Sequence, residues 1–230
     1  MNRRAVTLAI AAVLLTAGLA LTGMGMRNGT RITGSAIETV RRNGFTLDDG
    51  MLAKIASEFG IDDVTKLSVT ELLLTMGMGT YDFETGGWEP ISRQIYAFDA
   101  EVFDISRMYT LFLKGVDAIV PDIGITEIRE DLSGMTEEMT PLPGSAYLLT
   151  DGLRSVSFRC NGHPYSVTLT SQGDWFNAEM CDFMDRVLEQ EGCPHQLWQV
   201  SNQMAAPQYE ILVYGTREDA SRVYGMLWVR

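Results

Sequence analysis

Residues 5 to 26 contain no charged side chain, and their inner stretch AVTLAIAAVLLTAGLAL is apolar enough to leave water for lipid. Inside a bilayer such a segment has to close its backbone hydrogen bonds on itself, which makes it a helix. The rest of the chain then folds beside a membrane or after crossing one. Arg3 and Arg4 precede the run as the basic flank of an export signal does. The stretch is longer than the ~7 to 15 apolar residues of a cleaved signal. Its candidate cleavage sites, Ala20-Leu21-Thr22 and Gly23-Met24-Gly25, are poor small-x-small matches. The expectation is a single-pass anchor in the cell membrane with the remaining residues extracytoplasmic; the alternative is a protein secreted after signal cleavage. Arg27, Arg31, Arg41 and Arg42 follow the run and blunt the positive-inside contrast, so the orientation rests on Arg3 and Arg4.

Charge narrows the partners of the remainder. Of 18 basic residues two are Arg3 and Arg4, which leaves 16 against 30 acidic ones, a net of −14 beyond the run. Such a surface repels polyanions, so no nucleic-acid partner is expected. Expected partners are the membrane through residues 5–26, and another envelope protein or cell-wall material. With 46% apolar and 21% charged residues the chain has the composition of a folded protein. Cys160, Cys181 and Cys193 are odd in number and confined to the last third, which excludes a disulfide scaffold. Cys181 reads as mid-helix and Cys193 as just past that helix's end, roughly 15 Å away at about 1.5 Å per residue, too far to pair.

The pattern along the chain gives a fold class of α+β. After residues 1–26 come a juxtamembrane spacer (27–45) with a short helix at 36–42, a helix-loop-helix unit (46–78), a connector (79–92) and an α+β domain (93–230). Thr46 reads as the cap of a helix with Asp48 and Asp49 in its first turn and Gly60 as terminator. Ser68-Val69-Thr70-Glu71 is a capping box before a second helix. The segment LAKIASEFGIDDVTKLSVTELLLTM resembles the small helix-loop-helix modules of the SAP and Rho N-terminal type. That resemblance implies a compact helix pair. Such modules often meet nucleic acid through basic residues, but here Lys54 and Lys66 are outnumbered by Glu58, Asp62, Asp63 and Glu71. The segment therefore reads as a packing unit, with a cytoplasm-facing helix-loop-helix binder as a third functional reading.

Beyond residue 93 the apolar period changes. Residues 94–102 alternate as a strand with Tyr96, Phe98, Ala100 and Val102 on one face. Asp104 then caps a helix carrying Ile105, Met108, Tyr109, Phe112, Val116 and Ile119. Residues 125–132 form a strand, and 133–152, with PLPG inside, a long polar excursion. Asn161-Gly162 joins the strands 153–160 and 163–170 in a tight hairpin, with Val156 and Phe158 opposite Val167 and Tyr165. Asp174 precedes an amphipathic helix bearing Phe176, Met180, Phe183, Met184, Val187 and Leu188 and ended by Gly192. Two strands near 197–201 and 209–214 lead to a last helix capped by Thr216. The order strand, helix, strand, strand occurs twice, as a β-α-β-β duplication would, or as two unrelated stretches spelling the same order. The expected solution is a mainly antiparallel sheet of about six strands with helices on one face.

Chemistry has few candidates. Cys160-Asn161-Gly162-His163 and Cys193-Pro194-His195 put both histidines beside cysteines, and a two-residue turn sets Cys160 opposite His163. These four residues are the candidate metal ligands, and Cys160, His163 and Asp174 the candidate nucleophile, base and orienting acid of a hydrolase. The competing reading makes Cys160 a core-edge residue and His163 a turn-flanking one. Reactive thiols favour helix N-termini or electropositive pockets, and neither surrounds a strand end in this acidic chain. Asp174-Trp175-Phe176 and Trp88, Trp198 and Trp228 are candidates for lining a carbohydrate or peptide groove, or for core packing. No GxSxG, HExxH, P-loop, EF-hand or GxGxxG-to-helix signature is present. The expected function is a non-enzymatic binding or interaction module of a bacterial cell envelope, without catalytic residues, metal or cofactor; the alternative is a Cys/His-based hydrolase or metal-binding protein.

Overall fold

The computed structural model describes residues 35–82, 87–101, 107–138, 148–172, 175–200 and 208–227. The chain divides into two compact units, Met1–Phe98 with Trp198–Arg230, and Asp99–Leu197. The described residues are α+β, with six helices and three antiparallel sheets. Residues 5–26, Val102, Asp104, Ile105, Asp174 and Trp228 lie outside the described residues. No described helix is long and apolar enough to cross a membrane.

In the first unit, α1 (Ala36–Arg42) starts from a capping box between Ser35 and Glu38. Helix α2 (Asp49–Phe59) ends on Gly60 at φ 64°, a left-handed conformation that glycine adopts without strain. Its cap is Asp48, whose carboxylate accepts the Met51 amide, in place of the expected Thr46. Thr46 instead has its amide bonded to the side chain of Gln94. Helix α3 (Val69–Met78) carries the predicted Ser68–Glu71 capping box. Leu72, Leu73, Leu74 and Met76 are buried, four apolar side chains too closely spaced for a single stripe, because α3 is wrapped by apolar neighbours.

The expected connector contains a hairpin, β1 (Thr80–Asp82) against β2 (Gly87–Glu89). Trp88 seats it by donating its indole N–H to the Met78 carbonyl and standing edge-on to Tyr96. Strand β3 (Tyr96–Asp99) is shorter than expected, and Tyr96, Ala97 and Phe98 are all buried in place of alternating. The cause is Gly77. A β-carbon there would lie 2.6 Å from the Ala97 nitrogen, so α3 presses backbone-close on the face assumed to be open. Strands β7 (Gln196–Val200) and β8 (Tyr209–Gly215) complete a sheet of order β3-β8-β7. Helix α6 (Arg217–Leu227) follows Thr216, which exchanges hydrogen bonds with Asp219 as the predicted cap.

In the second unit, β4 (Ile125–Glu138), β5 (Leu148–Cys160) and β6 (His163–Gln172) form an antiparallel sheet in that order. The six strands expected in one sheet are thus two sheets of three. Strand β3 pairs with β8, far away in sequence, and local alternation carries no information on such pairing. Strands β4 and β5 also run through most of the expected polar excursion. Helices α4 (Met108–Ile119) and α5 (Glu179–Gln190) pack on β4 and β6. Along β5 the even-numbered residues Arg154, Val156, Phe158 and Cys160 are buried and Leu153 and Ser157 are exposed, so one face is covered and the other open. The register sets Val156 against Val167 and Phe158 against Tyr165, as expected.

Candidate functional site

The two-residue turn has positive φ at both central positions, 51° at Asn161 and 83° at Gly162, as a type I′ turn requires. It sets Cys160 directly opposite His163. The two side chains nevertheless meet different surroundings. Cys160 is fully buried and its thiol donates to the Ile123 carbonyl at 3.6 Å. Burial, with a smaller push from the nearby Glu191 carboxylate, raises its pKa to about 12. At neutral pH it is therefore a thiol, whereas nucleophilic attack and metal binding need the thiolate. His163 is 71% exposed and turns away to Glu191.

Glu191 was not among the residues singled out from the sequence, and it organises this end of the sheet. It sits at the C-terminal cap of α5, before Gly192 at φ 72°. Its carboxylate accepts from Asn161 Nδ2 at 3.1 Å, His163 Nδ1 at 2.9 Å and the Tyr165 hydroxyl. A carboxylate only accepts, so the His163 proton lies on Nδ1. The Tyr165 bond, then those of His163 and Asn161, hold the Glu191 carboxyl below its ordinary value, and the same bond pushes Tyr165 up to about 12. Three donors on one anion make a clamp between hairpin tip and helix end, and they lower its basicity. The sequence does carry a signal for it. Glu189 and Glu191 stand at a helix C-terminus, where exposed carbonyls disfavour anions unless other groups compensate.

Of the other candidates, Asp174 lies outside the described residues, and Cys193 is near enough to Cys160 to add to the rise in its pKa. Cys193 is half-buried and His195 exposed. None of the three cysteines is in a disulfide. Among the described residues no group of three or more His, Cys, Asp or Glu side chains is placed to hold a metal ion. The three described tryptophans belong to different elements. Trp198 donates to the Gly215 carbonyl, Trp88 supports β1 and β2, and Trp175 is 48% exposed.

A second polar constellation, also missed from the sequence, lies inside the same unit. Arg154 on β5 and Glu130 on β4 pair at 3.2 Å with side chains 0% and 2% exposed. The other oxygen of Glu130 accepts the Thr110 amide at 2.6 Å and its hydroxyl at 2.7 Å. Thr110 is in the first turn of α4, whose N-cap position, Arg107, supplies no side-chain bond. A carboxylate from a distant strand thus caps the helix expected to begin at Asp104. The Tyr109 ring lies over the guanidinium at 5.4 Å. Burial raises the Glu130 carboxyl above its ordinary value while Thr110 and Arg154 oppose the rise. The sequence signal was phase, since Arg154 alternates with Val156 and Phe158 on the inward face.

No family model, curated protein or solved structure matches the chain.

Proposed function

We propose that this chain is a membrane-anchored, extracytoplasmic protein of a bacterial cell envelope, and that its acidic α+β region is a non-enzymatic module binding another envelope protein or cell-wall material. The uncharged run of residues 5 to 26 carries this reading, because a segment of that length and composition is stable as a helix in lipid. Two properties of the second unit support the non-enzymatic part. The buried Cys160 thiol lacks the electropositive setting that makes a nucleophile, and the Glu191 carboxylate facing His163 is already saturated with donors. The net charge of −14 beyond the run favours basic or cationic partners and keeps the region soluble at a crowded surface. The side of the membrane is tested by adding protease to intact spheroplasts. Digestion of the folded region without lysis is the expected result, and protection until lysis would place it in the cytoplasm and overturn the reading.

A further inference from the structure

The two edges of the sheet β4-β5-β6 are built differently. Edge strands expose unpaired backbone groups, and proteins blunt them with charges, bulges or proline. Strand β4 is blunted throughout. Its pairing with β5 shifts register at three places, Glu127 has φ 51°, and Glu127, Arg129 and Asp131 put three exposed charges along it. Strand β6 pairs with β5 over ten residues without a shift and carries no charged residue from Pro164 to Gln172. Among the described residues β6 has no strand on its outer side, where Asn177 reaches it at Thr170, so this is an uncharged window on a sheet edge in a chain of net charge −12.

The hydrogen-bond phase of that edge follows from the turn. A two-residue turn makes its flanking pair, Cys160 and His163, a hydrogen-bonded pair, and pairs alternate from there. Tyr165, Val167 and Leu169 therefore point their amides and carbonyls at β5, while Pro164, Ser166, Thr168 and Thr170 point theirs outward. Two contacts agree with this phase. The Thr170 carbonyl accepts Asn177 Nδ2 from outside the sheet, and Ser155 and Thr168 hydroxyls meet at 2.9 Å as in a close, non-hydrogen-bonded pair. Ser166 and Thr168 are exposed.

We propose that β6 is a self-association edge, pairing antiparallel with β6 of a second copy of this chain about a two-fold axis at Val167. In that register Ser166 faces the partner's Thr168 and Thr168 faces the partner's Ser166, each pair exchanging two hydrogen bonds. Pro164 then faces the partner's Thr170. Proline has no N–H to give, and the Thr170 carbonyl that would need it is already satisfied by Asn177. The one donor missing from the strand thus falls opposite the one acceptor already filled. That self-complementarity selects a second copy over an unrelated strand, and it is independent of whether residues 5–26 anchor the chain.

The test is sedimentation equilibrium of the full chain in density-matched detergent, with circular dichroism as a control on folding. Two variants remove outward pairing while leaving the backbone hydrogen bonds between β5 and β6, although Thr168→Pro also gives up the hydroxyl contact with Ser155. Thr168→Pro deletes an outward N–H, and Ser166→Lys places a charge on the edge. The expected result is a protein mass of two chains for the parent, halved in either variant whose dichroism matches the parent. Register is read separately by mixing Ser166→Cys with Thr168→Cys copies under mild oxidation, where a covalent dimer should form in the mixture and not in the parent. A monomeric parent, or a dimer unchanged in both folded variants, overturns the proposal. So does a monomer whose β6 amides are protected from exchange only in native membranes, which would assign the edge to another protein.

Discussion

At the scale of single residues, Glu191 and Glu130 show two ways of holding a carboxylate. Glu191 has its pKa lowered by donors from Tyr165, His163 and Asn161, so its contribution to stability is present above the ordinary value of 4.5 and is lost as pH falls through its folded value. Glu191→Gln should therefore melt lower than the parent at neutral pH, and the gap should close as pH falls below ~4.5. A gap of constant size across that range would mean that charge is not what the three donors recognise. Glu130 is held the other way, by desolvation opposed by Arg154 and Thr110. Glu130→Ala should cost about 3 to 5 kcal/mol in chemical denaturation, because it strands a buried guanidinium and uncaps α4. Adding Arg154→Leu should recover much of that loss, leaving the cost of the uncapped helix. If the two losses simply add, the pair is not coupled. Neither carboxylate stood out in the sequence, since each is defined by donors 20 or more residues away.

Several elements defined by neighbouring residues were legible, the Asp48 cap and the β1–β2 hairpin being exceptions, and those defined by distant ones were not. The Asn161-Gly162 turn, the Ser68–Glu71 box, Gly60 and the Thr216 cap are each settled within a few residues, and the structure has all four. The start of α4 was missed because its cap comes from β4, and the division of six strands into two sheets because β3 pairs with β8. Gly77 is the clearest case at this scale. It lies inside α3, where alanine is intrinsically favoured by up to ~1 kcal/mol. Yet an added β-carbon would fall 2.6 Å from the Ala97 nitrogen and 2.7 Å from its β-carbon. Gly77→Ala should therefore destabilise by about 1 to 3 kcal/mol by thermal or denaturant melting, the close approach outweighing propensity. A stabilised variant would show that α3 and β3 are not in backbone contact.

For the whole molecule, the class α+β and the covered face of the β4-β5-β6 sheet were readable from alternation, because a sheet with one buried face writes a period of two into its strands. The pairing of Cys160 with His163 in register was readable too. What the pair does was not, because the thiol's burial against Ile123 and the turn of His163 toward Glu191 depend on segments brought in by the fold. The function we propose combines that inert tip with the uncharged run of residues 5 to 26. The run is the central element of the account, and alkaline carbonate extraction of membranes holding the full chain tests it most directly. A helix of about 20 apolar residues inserts almost irreversibly, so the protein should stay in the pellet after carbonate and leave it only with detergent. Full release by carbonate, or a mature soluble form beginning between Gly23 and Arg27, would contradict the anchor.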